Sequence, residues 1–293
     1  MFEWLVAVDS YSDYPANVTE RVANSSLSLI GGFWDPNPES IVNASGANDS
    51  SALVLLDSSV QSDVDMASQL DQFGIKYVFF YESVNTTEVY QNIALGGKVL
   101  HESSNATGLI TRMQQRFATI QSSVGTPTTK PRVMFMDYYG SPSNVVGNQT
   151  FINDIITAAG GVNAFGNVTS YQGVSGEAEV AANPDYIIVS SSMNGQDSQS
   201  VYDQVMNDSI LSSTPAVQQK HVYIIDSQME DCFLENGIRE IDGTQILAEI
   251  LYPSMFNNVT IPHVLGNDYL SYLPSSWNDG STASQMVMET SSR

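Results

Sequence analysis

Aromatic rings beside carboxylates can wall a ligand pocket, and this chain repeatedly sets such rings directly after apolar runs. In "LVAVDSYSDYP", Leu5 to Pro15, the run Leu5–Val8 ends in Asp9 and is followed by Tyr11 and Tyr14. "GGFWDPNPE" carries Phe33 and Trp34, Tyr81 follows Phe80, Tyr138 and Tyr139 close "VMFMDYY", and Tyr171 stands in "SYQGVSGE". Ligand pockets favour aromatic walls with a few polar anchors, and α/β sheets gather ligands at the carboxyl ends of strands. Any one ring taken alone is more often core packing than a ligand contact; the set predicts a binding surface. Residues for catalysis are sparse. His101, His221 and His263 lack metal-ligand spacing, and "GVSGE" is not the G-x-S-x-G of a nucleophile elbow. The single cysteine, Cys232, excludes an internal disulfide and a multi-cysteine metal site. No dinucleotide fingerprint, P-loop or H-E-x-x-H is present.

The rings need a scaffold, and short β-branched or aromatic runs supply one. Leu5–Val8, Leu53–Leu56, Tyr77–Phe80, Val133–Met136, Tyr186–Val189 and Val222–Ile225 read as buried strands. Helical stretches lie between them. Met66–Phe73 stops at Gly74 and Phe151–Ala159 at Gly160-Gly161. Strand–helix alternation implies βαβ units and mainly parallel sheets. Between Asn105 and Val124, Leu109, Met113, Phe117 and Ile120 form one stripe of a long helix, roughly 30 Å at 1.5 Å per residue. With α/β segments on both sides, it reads as a rigid strut joining two lobes. The expected divisions are a lobe over 1–104, the helix over 105–126, a second lobe over 127–272, and an irregular, mobile tail over 273–293.

Composition narrows the partners. The 293 residues hold 10 Lys+Arg against 32 Asp+Glu, net −22, a surface that repels nucleic acid and anionic lipid. Charged residues are only 14 %, so Ser, Asn, Thr and Gln must cover the outside. Ten N-x-Ser/Thr sequons and this hydroxyl-rich surface fit a protein exposed outside the cell. A surplus of carboxylates over cations also suits an acidic habitat. No apolar run is long enough to span a bilayer. Met1-Phe2-Glu3-Trp4 has no basic region or apolar core of a signal peptide.

An ordered series of segments resembles the class III (cluster A) substrate-binding proteins of ABC importers, which serve ferric siderophores, haem and vitamin B12. "VAVDSYSDYP" and "IGGFWDPNPESIV" resemble the opening of the family's N-lobe. "QLDQFGIKYVFF" is similar to its helix–Gly–Ile–strand step, and "VYQNIALGGKVL" to the helix leading to the strut. "FINDIITAAGGVNAF", "GVSGEAEVAANPDYIIVSS", "VQQKHVYIID" and "GIREIDGTQILAEILYP" resemble successive C-lobe segments. The likeness runs to about Phe256. It implies two Rossmann-like lobes with mainly parallel sheets. The family's first strand and helix have no counterpart here, which implies an incomplete N-lobe.

The resemblance also assigns roles. Glu39 in "NPES" and Glu177 in "VSGE" match the docking glutamates of the two lobes, which pair with permease arginines. Each could instead be a glutamate favoured at a helix N-terminus. Tyr11, Phe33, Trp34, Tyr171, Asp231 and Arg239 match positions around the family's ligand cleft. Tyr81 and Tyr138 are further ring candidates. Arg239 offers a forked donor to a chelate carboxylate, or an internal ion pair with Glu235, Glu240 or Asp242. The reading is a solute-binding protein, not an enzyme, without a cofactor or protein-bound metal of its own. Its cargo is a ferric siderophore, alternatively a corrinoid or haem, and its partner an ABC permease. It is expected to be monomeric, extracytoplasmic and tethered to the membrane. A chelatase-like enzyme would need a catalytic His or Cys in the cleft loops, where none is matched. A surface adhesin would share the fold without saturable chelate binding.

Overall fold

The computed structural model describes residues 5–13, 15–32, 34–46, 52–81, 83–274 and 277. Contacts divide the chain into two compact units, Met1–Glu82 with Ala94–Asn105 and Asn278–Arg293, and Ser83–Ile93 with Ala106–Trp277. In chain order the first unit holds β1 (Ala7–Val8), α1 (Ala16–Ala23), β2 (Ser28–Leu29), α2 (Pro38–Ser45), β3 (Leu53–Asp57), α3 (Gln61–Gln72) and β4 (Lys76–Phe80). The boundary then passes through α4 (Thr86–Val99) and α5 (Ser103–Val124).

In the first unit β1 pairs with β2 and β3 with β4, both in parallel. Ile41, Val54, Leu56, Met66, Ala67 and Leu70 form its core. Of the runs expected to be buried strands, that over β3 is buried on one side only, and β1 and β4 are no more than half-buried. Leu53 and Leu55 alternate with buried Val54 and Leu56 and are exposed, as is Val6 beside β1. A strand side chain faces the opposite way from its neighbour, so only half of the β3 run enters the core with α2 and α3.

The second unit continues with β5 (Arg132–Tyr138), β6 (Ser143–Val146), α6 (Phe151–Ala158), β7 (Val162–Asn163), β8 (Tyr171–Val174), α7 (Gly176–Ala182), β9 (Tyr186–Ser190), α8 (Ser198–Asn207), α9 (Pro215–Gln218), β10 (Val222–Ile225), α10 (Ser227–Leu234), α11 (Glu240–Leu251) and β11 (Val264–Leu265). Its sheet runs β11-β10-β9-β5-β6-β8, with β7 on the start of β5. β10, β11, β9, β5 and β7 pair in parallel, while β6 is antiparallel to both β5 and β8. Both faces are covered, which is why the runs over β5, β9 and β10 are apolar throughout. Val133, Phe135, Ile188 and Ile225 face a layer built by α5, α6, α10 and α11. Met134, Met136, Ile187, Val189 and Ile224 face Val201 and Val205 of α8 and Val217 of α9.

The 22-residue α5 presents Met113, Phe117 and Ile120 of the expected stripe to the interior together with Val124, while Leu109 is only half-buried. Its far end is fastened at Gly160, where φ is +88° and an added Cβ would lie 2.6 Å from Val124; Tyr252 donates its hydroxyl to the Gly160 carbonyl at 2.9 Å. α11 is buried at every position, although it carries Glu240, Asp242, Thr244, Gln245 and Glu249. Cys232 on α10 is buried too; burial pushes its thiol well up, and its Sγ lies 3.3 Å from the Gln228 carbonyl. The expectation of a mobile tail fails for Leu273 and Trp277, which are buried in the core. The Arg116 guanidinium stacks 4.1 Å from the centre of the Trp277 ring. The rest of the expected tail, 275–276 and 278–293, lies outside the described residues.

Candidate functional site

In the first unit the rings are presented by turns at the carboxyl ends of strands. Asp9, one residue past β1, folds its side chain over the turn it begins. One oxygen accepts from the Tyr11 N–H at 2.7 Å and the other from the Ser12 hydroxyl at 2.9 Å. Such an Asx-type turn holds the following residue outward, and Tyr11 is 62 % exposed. After β2 the chain reverses between Gly31 and Pro36, leaving Trp34 75 % exposed. Gly31 has φ +109°, and a Cβ there would lie 2.5 Å from the Asp35 carbonyl, so only glycine fits. The Ser10 N–H donates to the Gly31 carbonyl at 2.9 Å, tying the Tyr11 and Trp34 turns together. Tyr81 follows β4 and is 62 % exposed. Phe33 and Tyr14 lie outside the described residues.

Carboxylates gather at the same ends. Asp57 closes β3, and its N–H donates to Asp63 at 2.7 Å. Burial pushes the Asp63 carboxyl up, and the charges of Asp57 and Asp9 add to this against the donated N–H. The turns after β1 and β3 therefore lie within electrostatic reach of one another.

In the second unit Tyr138 ends β5 and is 40 % exposed. A Cβ on Gly140 would meet its ring at 2.5 Å, so the ring lies against bare backbone. Its neighbour Tyr139 turns inward and donates to Asp208 at 2.8 Å; burial first, then this bond, raises the phenol strongly. Asn194, in the loop after β9, donates to the Tyr139 carbonyl at 2.5 Å. That loop is anchored by Glu230, which accepts from the Ser192 hydroxyl at 2.6 Å, its N–H at 3.2 Å, and the Ser190 hydroxyl. Asp226, just past β10, accepts from the Ser198 hydroxyl.

Tyr171 departs from the expected placement. It opens β8 opposite Val146, whereas Val174 at the other end of that ladder faces Ser143. Because β6 runs antiparallel to β5, Tyr171 lies at the far end of the ladder from Tyr138. Asp231 and Arg239 do come together, with NH1 3.0 Å from Asp231, and NH2 is 2.5 Å from Glu235. Arg239 is only 3 % exposed. Burial opposes its charge, but Glu235 and Asp231 outweigh burial and raise its pKa. The geometry is that of the internal ion pair.

Glu39 and Glu177 occupy matching positions. Each is exposed in the first turn of a short helix, one residue after the position that follows the cap. The caps are Asn37, accepting from Ser40 N–H at 2.9 Å, and Ser175, accepting from Ala178 N–H at 3.4 Å. The Glu177 carboxyl is lowered by its own N–H and by Ser175. Glu230, Asp226, Ser190, Ser192 and Asn194 were missed in sequence. Their signal was the abrupt change from apolar run to hydroxyl or acid in "IIVSSSMNG" and "IIDSQMED".

One polarity runs along the strands of both units. Asp9, Asp57, Asp137 and Asp226 stand at or just past carboxyl ends, while Lys76 and Arg132 open β4 and β5 and Lys220 precedes β10. Arg132 is spent on the carbonyls of Ala182 at 2.9 Å and Ala164 at 3.2 Å. The ends that carry the rings are electronegative.

Comparison with known proteins fits this geometry. The chain is 26 % identical over 202 residues to the uncharacterized ABC transporter substrate-binding lipoprotein YvrC of Bacillus subtilis, covering 68 % of this chain and 61 % of that protein. It is 28 % identical over 189 residues to a vitamin B12-binding protein of Photorhabdus laumondii, covering 64 % and 62 %. The chain thus spans about three fifths of the length of these curated relatives. A crystal structure of a possible iron-binding (periplasmic solute-binding) protein from Staphylococcus epidermidis superposes with a TM-score of 0.70 at 20 % identity, covering 84 % of this chain and 90 % of the other. The profile of the family described as periplasmic binding protein matches residues 4–229, and the chain belongs to that family.

Proposed function

We propose that the protein is an extracytoplasmic solute-binding protein of an ABC importer, that its cargo is an iron complex of the ferric siderophore type, and that it carries out no chemistry on that cargo. The observation that carries this reading is the set of exposed rings, Tyr11, Trp34, Tyr81 and Tyr138, each at the carboxyl end of a strand. Asp231 and Arg239 support the second unit's wall as a pair, with Arg239 fixing Asp231 rather than reaching the cargo. Glu39 and Glu177 dock the permease; two such charges set orientation and steer encounter more than they add affinity. A corrinoid cargo is the second reading, favoured by the relative that is named a vitamin B12-binding protein.

The acidic strand ends favour a neutral or cationic complex. A cationic ferric hydroxamate is expected to bind at least about tenfold more tightly than a polyanionic ferric catecholate. Tryptophan fluorescence titration with both, and with cobalamin and haem in parallel, tests the reading. Saturable quenching by one class supports it. No response from a folded sample far above micromolar concentration overturns it. Tyr11→Ala is expected to weaken binding by about 1 kcal/mol, roughly fivefold, if the ring stacks on the cargo; unchanged affinity removes Tyr11 from the site. Glu39→Lys with Glu177→Lys should leave cargo binding intact and abolish stimulation of the importer. If both are only helix-terminal residues, transport will not change.

A further inference from the structure

We propose that the folded chain is N-glycosylated at three asparagines, Asn24, Asn167 and Asn258. The sequence holds more acceptor motifs than its composition accounts for. Serine and threonine fill 56 of its 293 positions, about a fifth, so chance would set a hydroxyl two places after about four of its 21 asparagines. Ten N-x-Ser/Thr sequons are present, nearly half of the asparagines. An asparagine that takes a sugar must lie on the surface with its side-chain nitrogen accessible. That requirement sorts nine of the ten; Asn48 lies outside the described residues.

Asn17 and Asn85 are half-buried. Asn105, Asn148 and Asn207 already spend the nitrogen, on Glu102 at 2.7 Å, the Gly166 carbonyl at 2.8 Å and the Asp203 carbonyl at 2.7 Å. The hydroxyl of the Asn148 sequon, on Thr150, is buried as well and donates to the Gly147 carbonyl at 3.0 Å. Asn43 is exposed but lies inside α2. Asn24, Asn167 and Asn258 each sit exposed in a turn, and the sequon hydroxyls, on Ser26, Thr169 and Thr260, are on exposed residues too. Asn24 uses only its oxygen, which accepts from the Ser26 N–H at 3.0 Å. No described residue binds the side-chain amide of Asn167 or Asn258. All three turns lie away from the ring-bearing ends within their own unit. Asn24 ends α1 just before β2 begins. Asn167 stands four residues before Tyr171, at the end of the β6–β8 ladder far from Tyr138. Asn258 falls between Tyr252, bonded to Gly160 ahead of β7, and His263, whose Nδ1 lies 2.9 Å from the carbonyl of Val222 at the start of β10. Glycans there would hydrate a surface poor in charge and leave the rings uncovered.

The donor is a sugar activated as a lipid-linked phosphate or diphosphate, brought by an external transferase. The asparagine nitrogen bonds to C1 of the sugar and gives up one proton. The bond from C1 to the phosphate oxygen breaks, and the phosphate leaves with that electron pair. The inference rests on the extracytoplasmic location proposed above and not on the cargo. The test is to recover the protein from fractionated native cells and map its peptides by mass spectrometry. Peptides holding Asn24, Asn167 and Asn258 should carry a glycan, and those holding Asn85 and Asn148 should be bare. Thr260→Ala, which destroys one sequon and keeps Asn258, should remove the mass of one glycan and no more. Bare asparagines at all three positions, in protein recovered outside the cytoplasm, overturn the proposal and leave the importer reading standing. Recovery from the cytoplasm overturns both. Occupancy at Asn148 equal to that at Asn258 overturns the proposal as well, because the folded chain withholds Asn148.

Discussion

Melting the protein at about pH 5 and again at about pH 8 is expected to give a midpoint higher at the acid pH by about 6 °C or more. The cause is three buried carboxyls on α11. Burial pushes Glu240 up to about 8, with the charge of Asp154 adding to it against Thr86. Burial pushes Asp242 up to about 7, against Arg116, Tyr269 and Arg239, and Glu249 to about 7, against Gln245. In the unfolded chain these groups titrate near 4.5, 3.8 and 4.5. Between those limits the folded protein holds protons that the unfolded chain has released, so stability falls as pH rises. The contribution is complete below about pH 4 and is lost as pH climbs through about 7 to 8. At about 1.4 kcal/mol per unit, the change from about pH 5 to about pH 8 amounts to at least about 3 kcal/mol. Glu177 and Asp197 are shifted the other way, but both lie at exposed helix starts. Relief of the net charge of −22 acts in the same direction as the buried acids. Glu240→Gln separates the two causes, because it should flatten the profile while barely changing net charge. A midpoint that stays level or rises toward about pH 8 would sink the account. An acid optimum is also what the carboxylate-rich, cation-poor composition suggests.

The second large effect is expected at Arg239. Replacing it with Met should destabilise the second unit by about 2 kcal/mol, less than the cost of orphaning a fully buried charge, because Asp231 and Glu235 are partly exposed. Asp231 and Glu235 would lose their shared cation, and Asp242, whose carboxyl Arg239 holds down, would rise further. Denaturant unfolding of Arg239→Met beside Arg239→Lys tests this. Intact stability with lost cargo affinity would show that the guanidinium reaches the cargo instead of holding Asp231.

What could be read in the sequence follows from where each signal lies. β5, β9 and β10 are covered on both faces, so their apolar runs are unbroken and easy to find. The stripe of α5 is legible for the same reason, since one face of a long helix meets the core. β6, β7 and β8 escape notice because they are short and made of Ser, Asn, Gly and Gln as well as valine. α11 conceals its position more thoroughly. Five polar residues in twelve read as a surface helix, and only the packing of α6 and α10 against it shows otherwise. At the site, the rings are legible as residues after apolar runs, but Tyr171 is not, because it opens its strand where the other rings close or follow theirs. Arg239 was ambiguous for a physical reason. A lone cation among carboxylates can serve a partner within the fold or an anionic cargo, and spacing does not distinguish the two.

Cys232 has a practical consequence. It is the only thiol of the chain, it is buried, and burial keeps it protonated. Thiolate is the reactive form, so native protein should be silent toward a maleimide dye. A cysteine introduced at Tyr11 or Trp34, both largely exposed, would then react alone. The fold thus supplies a dark background for single-site fluorescent labelling, with no native residue to remove first.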